Sequence, residues 1–193
     1  MSKQIMTMIL NDDNSRWYAI RVRSRCEKLA AVALMSRNIE VLAALAPQRR
    51  VWADRVRTVD MPLFPGYIFA RFAASRRPDV ERTTGIVSVV RFSQQCCPVD
   101  DGEIAGLRTF LASGLEVLRA PFLRVGKQVE MKHGPLAGVR GIVVEVKNRY
   151  RLVVSITLLQ RAVSVEIDEA MVEPIWPAAQ PVFRPALISS ALR

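Results

Sequence analysis

Leu63-Phe64-Pro65-Gly66-Tyr67-Ile68-Phe69-Ala70-Arg71-Phe72 reads as a turn followed by a strand. Side chains two apart on a strand share a face, so Tyr67, Phe69 and Arg71 lie on one side, with Ile68, Ala70 and Phe72 on the other. Both sides carry bulky apolar groups. One can enter a core while the other presents aromatic rings with a cationic rim, a composition favoured at binding hot spots. The alternative is that Tyr67 and Phe69 pack beneath a helix. Phe64, Pro65 and Gly66 set the geometry of entry into the strand.

Upstream, Arg16-Trp17-Tyr18-Ala19-Ile20-Arg21-Val22-Arg23 alternates large apolar with basic residues, as a half-buried strand does. Ser24 opens a helix, and Glu27 completes a capping box. That helix directs Leu29, Val32, Ala33 and Leu34 toward a core and stops near Asn38, a residue that tolerates the left-handed conformation of a helix end. A strand over residues 39–45 follows. From Pro47 to Pro62, two short basic stretches around Ala53-Asp54 predict a hairpin or an exposed arm.

Downstream, Pro78-Asp79 starts a second helix that ends at Gly85, and residues 86–92 form a further strand. Asp100 caps a third helix with Glu103 three residues on, carrying Ile104, Leu107, Phe110 and Leu111 inward. Residues 16–115 therefore make one α+β domain with a mainly antiparallel sheet and flanking helices. A linker over 116–124 ends it. Helix periodicity then disappears, and short β-rich runs at 127–131, 140–147, 152–157 and 161–167 predict a small all-β barrel over 125–175. Residues 1–15 and 176–193 read as flexible tails.

The formal charge of +10 suggests a polyanionic partner, and its distribution is informative. Residues 16–72 hold 11 Lys/Arg against 4 Asp/Glu, whereas residues 122–175 hold 8 against 6. The polyanion thus meets the front of the chain, where Arg21, Arg23, Arg25 and Lys28 form a compact basic group. Three cysteines without a CxxC pair and a single histidine, His133, support neither a disulfide framework nor a metal site. No nucleophile–base pair, phosphate loop or other catalytic constellation is present, so neither an enzyme nor a cofactor is expected. The start, Met1 to Leu10, is too short and polar for a secretory signal, and no apolar run is long enough to span a bilayer; a cytoplasmic monomer without membrane contact is expected.

Gly134-Pro135-Leu136-Ala137-Gly138-Val139-Arg140-Gly141-Ile142-Val143, preceded by Val125-Gly126, resembles the KOW motif of ribosomal proteins and NusG factors. Its glycines are structural. Trp17-Tyr18, the capped helix, Leu63 to Phe69 and Thr84-Gly85-Ile86-Val87 stand in the order of the NusG N-terminal (NGN) domain, so the resemblance covers roughly residues 16–175. Met61-Pro62-Leu63-Phe64-Pro65 and Val89-Val90-Arg91-Phe92 are most similar to RfaH-like specialised paralogues. A departure is Arg76-Arg77-Pro78, in the approximate region where those paralogues carry His-Thr-Thr.

The resemblance implies an NGN domain joined to an SH3-like KOW barrel, in a transcription elongation factor that suppresses pausing or termination. It further implies that Tyr67, Phe69, Phe64, Trp17 and Phe92 bind the β′ clamp helices of RNA polymerase. Arg21, Arg23, Arg25 and Lys28 would lie near upstream or non-template DNA. Leu158, Leu159 and Arg161 would meet the ribosome or Rho, although Leu159 replaces an aromatic. Some RfaH-like factors refold the second domain as helices; the β-branched runs here predict a permanent barrel. The competing assignment is a ribosome-associated or general RNA-binding KOW protein.

Overall fold

A computed structural model describes residues 14–52, 55–92, 95–120, 122, 127–146, 149–168 and 172–174. Both tails, apart from Asn14 and Ser15, lie outside the described residues, as do Val125 and Gly126. Four strands form the first sheet: β1 (Ser15–Val22), β2 (Glu40–Leu42), β5 (Tyr67–Ala73) and β6 (Ile86–Val89), in the order β2-β5-β1-β6 with antiparallel pairing. β3 (Leu45–Trp52) and β4 (Arg55–Pro62) pair only with each other, giving the arm expected between Pro47 and Pro62. Two residues, Ala43 and Ala44, separate β2 from β3, so the single strand expected at 39–45 is divided and Leu45 belongs to the arm.

One face of this sheet buries Tyr18, Ile20, Ile68, Ala70 and Phe72 against α1 (Glu27–Met35) and α2 (Arg77–Glu81). Ala30 and Leu34 of α1 and Val80 of α2 supply the helical side of that layer. Leu29 and Val32, expected inside, point to solvent at 53% and 66% exposure. The helix docks through its small residues Ala30 and Ala31, which let it lie close on the sheet and turn the larger side chains outward. Its end is as expected, with Asn38 left-handed at φ 56°. Its start is not: no side-chain cap forms, and Glu27 bonds elsewhere.

Six strands form the second sheet: β9 (Leu118–Ala120), β10 (Lys127–Met131), β11 (Arg140–Val146), β12 (Arg149–Ile156), β13 (Arg161–Ile167) and β14 (Val172–Pro174). Their order is β14-β10-β11-β12-β13-β9, all antiparallel. Leu118–Ala120, inside the stretch read as a linker, thus forms an edge strand on β13. Gly134 and Gly138 adopt positive φ, 79° and 80°, in the loop between β10 and β11. Gly141 has a different task, because it lies where β12 crosses too closely for a side chain.

Between the sheets lies α3 (Asp101–Ala112), and the Asp100 carboxylate accepts from the Gly102 and Glu103 amides at 2.8 and 3.2 Å, as an N-cap does. Two short strands, β7 (Arg91–Phe92) and β8 (Gln95–Cys96), pair antiparallel with each other, and a 3-10 segment, Ala74–Arg76, precedes α2. Among the described residues no helix is long and apolar enough to cross a membrane.

Candidate functional site

The second face of the first sheet carries Trp17 and Ala19 of β1 beside Phe69 and Arg71 of β5, since the register pairs Trp17 with Arg71 and Ala19 with Phe69. Phe64, in the turn before β5, stands edge-on to Phe69 with centroids 5.5 Å apart and rings at 84°. The two pleat faces are those the residue spacing predicts. The aromatic face, however, is not open. Trp17, Phe64 and Phe69 share one buried cluster with Ile104, Leu107 and Phe110 of α3 and with Val129, Leu152 and Val154 of the second sheet. Tyr67 is half-buried against the same cluster. Strand periodicity shows that a face is apolar; it does not show what covers it, and here the cover comes from much later in the chain.

Side chains at the margin fasten this cover. The Arg161 guanidinium lies 4.8 Å over the Tyr67 ring, and its Nη1 donates to the Pro65 carbonyl at 3.0 Å. The Glu103 carboxylate accepts from the Thr157 amide at 3.1 and 3.2 Å. Leu158 and Leu159, on a 3-10 turn over Thr157–Leu159, pack half-buried against the shared cluster. A Cβ added at Gly106 would meet Val154 Cγ1 at 3.5 Å and Val139 Cγ1 at 3.6 Å, so the α3 backbone runs close to the second sheet. Leu158, Leu159 and Arg161, read as a separate partner surface, therefore lie on the aromatic face itself.

Phe92 stands apart from this group, on β7 and 74% exposed. Trp17 is held from its other side by Arg108, which sits 4.8 Å over its ring and pairs with Glu40. On the opposite face of the sheet, burial pushes the Tyr18 phenol upward, with Cys96 adding to the shift and Arg16 opposing it. The basic residues Arg21, Arg23, Arg25 and Lys28 are all exposed. Lys28 also binds Asp60 of β4 at 3.0 Å.

Glu27 and Glu103 have positioning roles that capping-box spacing concealed. The buried Glu27 carboxylate accepts from the Gly66 amide at 2.8 Å, which fixes the turn that aims Tyr67. Gly66 itself has φ 79°, a conformation that excludes most other residues there. Glu27→Ala removes a hydrogen bond to a charged group and is expected to lower stability by about 2 kcal/mol. Urea unfolding measures this, and a wild-type midpoint would show the contact to be dispensable.

An aromatic sheet face, and a second sheet whose loop closes over it, make a two-part structure in which each part covers the other. Residues 15–108 match the family model described as "Transcription termination factor nusG". The transcription termination/antitermination protein NusG of Escherichia coli K12 is 28% identical over 174 residues, covering 82% of this chain and 95% of that protein. Its counterpart in Vibrio vulnificus is 26% identical over 176 residues, covering 83% and 96%. The solved structure "Domain interaction in Thermotoga maritima NusG" aligns at 21% identity and TM-score 0.49, covering 84% of this chain and 98% of that one. Over most of its length this chain is similar to NusG proteins, and its residues 15–108 carry the family match.

Proposed function

We propose that this protein is a transcription elongation factor that binds RNA polymerase at the β′ clamp helices through Tyr67, Phe69, Phe64 and Trp17, with Phe92 at the edge. The covered aromatic face carries this reading: it is a large apolar surface closed by a cover whose margin is held by separable side-chain contacts. When the second sheet lifts away, the part of the face that α3 leaves uncovered becomes available to a helical partner. Arg21, Arg23, Arg25 and Lys28 are exposed and suit phosphates of upstream or non-template DNA, a salt-dependent interaction without base reading.

Once released, Leu158, Leu159 and Arg161 can meet the ribosome or Rho, so that the factor suppresses pausing or termination and couples transcription to translation. The Met61 to Pro65 and Val89 to Phe92 segments favour a specialised antitermination paralogue of the RfaH type.

Tyr67 is the residue to test, because Phe69 is fully buried and its truncation would cost about 3–5 kcal/mol of stability. In an Arg161→Ala background, where the contacts of Arg161 with Tyr67 and Pro65 are absent from both proteins compared, Tyr67→Ala is expected to lower retention on immobilised RNA polymerase about tenfold. Affinity for RNA should stay unchanged. Unaltered retention would instead favour a ribosome-associated or general RNA-binding KOW protein.

A further inference from the structure

Arg71 stands on the same pleat face as Trp17 and Phe69, toward the end of β5 away from Tyr67. It is half-buried, and its Nε is closed off from solvent with no hydrogen-bond partner. Among the described residues its side chain makes neither an ion pair nor a ring contact. Its neighbours could supply both. The register sets Trp17 of β1 on one side of Arg71 and Glu40 of β2 on the other. Arg108 of α3 takes them instead, lying 4.8 Å over the Trp17 ring and pairing with the Glu40 carboxylate.

A guanidinium donor held away from water without a partner carries a desolvation cost that nothing in the free fold offsets. Methionine would fill a similar space without that cost. Arg151 of β12 shares the condition, since its Nε is also buried and unpartnered. It adjoins Leu152 in the strand, however, and so lies on the face of the second sheet turned away from the shared cluster. Of the two, only Arg71 borders the aromatic face.

We propose that Arg71 is the specificity-determining cation of the aromatic face and pairs with an acidic side chain of the protein that docks there. This rests on the docking reading and adds the charge that the partner presents. Arginine is enriched at interface hot spots, and its planar guanidinium can hold one carboxylate through two parallel hydrogen bonds. A single carboxylate can meet Arg71 alone. A run of phosphates passing Arg71 would also pass the Glu40 carboxylate, which sits opposite it in register and repels them.

The test is surface plasmon resonance on immobilised RNA polymerase free of nucleic acid, with every protein in an Arg161→Ala background. Arg71→Met is expected to lower affinity about tenfold, mostly through faster dissociation, as loss of one partner from a desolvated charge pair does. Arg151→Met removes an equal charge and an equally unpartnered Nε, and should leave affinity unchanged. Thermal melts of both variants should match or exceed that of the parent, because neither loses a contact.

A melt several degrees lower for Arg71→Met makes the guanidinium structural and overturns the proposal. An equal loss of affinity in Arg151→Met also overturns it, since that is long-range charge. So does an Arg71→Met loss on a free DNA duplex that matches the loss on polymerase, because Arg71 then serves phosphate. Tyr67→Ala in the same background separates this inference from the reading beneath it. If Tyr67→Ala weakens binding and Arg71→Met does not, Arg71 has no part in docking while the docked face stands. If neither weakens binding, both fall.

Discussion

In the double variant Arg161→Ala/Glu103→Ala, the full chain is expected to bind RNA polymerase about thirtyfold more tightly than the wild type. The clasp consists of a cation held over the Tyr67 ring, a guanidinium hydrogen bond to the Pro65 carbonyl and a carboxylate hydrogen bond from the Thr157 amide. All three are partly exposed, so together they contribute about 2 kcal/mol to closure rather than the sum of their isolated strengths. A face available only in the open state binds with an affinity reduced by the fraction of molecules that are open. Removing about 2 kcal/mol from closure raises that fraction about thirtyfold for as long as the closed form still dominates.

Surface plasmon resonance on immobilised polymerase reads this directly. A wild-type dissociation constant would show that the clasp does not control access. On the proposed docking the same linkage acts in reverse: polymerase on the aromatic face would leave Leu158, Leu159 and Arg161 free, and partners of the two surfaces would assist one another by equal factors.

Gly141→Ala is expected to destabilise the second sheet by about 3 kcal/mol or more, enough to threaten its folding. An alanine Cβ at this position would lie 2.5 Å from the Val153 carbonyl oxygen and 3.0 Å from Leu152 Cδ1. The leucine can rotate, but the carbonyl is part of the β11–β12 ladder and moves only if the strands separate. Gly138→Ala is the control. There φ is +80° but an added Cβ meets nothing within 4 Å, so backbone strain of about 1–2 kcal/mol is the whole cost. Chemical denaturation of the full chain compares the two. Equal losses would mean that the close approach at Gly141 relaxes without cost. Loss of the second sheet also uncovers the part of the aromatic cluster that α3 does not cover, so Gly141→Ala should bind a hydrophobic dye strongly while Gly138→Ala does not.

Much of this architecture is legible residue by residue. The alternation from Trp17 to Val22 and from Tyr67 to Phe72 assigns two strands and sorts their side chains into two faces, because the pleat repeats every two residues. Asp100 with its oxygen on the Gly102 and Glu103 amides is a local event, and local chemistry is enough to place it. The arm at β3 and β4 is likewise visible as two basic runs around a turn. Where the reading of α1 fails, the cause is packing: Leu29 and Val32 are large and apolar, yet the helix approaches the sheet through Ala30 and Ala31. Glu27 and Glu103 sit at capping-box spacing, but both carboxylates reach across the fold, to Gly66 and Thr157.

The sequence by itself determined that Tyr67 and Phe69 share a face, that glycine is required in the loop between β10 and β11, and that the cationic surplus lies in the first half of the chain. Each follows from chain geometry or composition within a few residues. Only the tertiary structure decided that the aromatic face is closed, that Arg161 fastens the cover, and that the two surfaces expected to serve different partners lie against each other. Those contacts join positions as far apart as Pro65 and Arg161. Burial depends on which apolar surfaces meet, and no local periodicity records that choice.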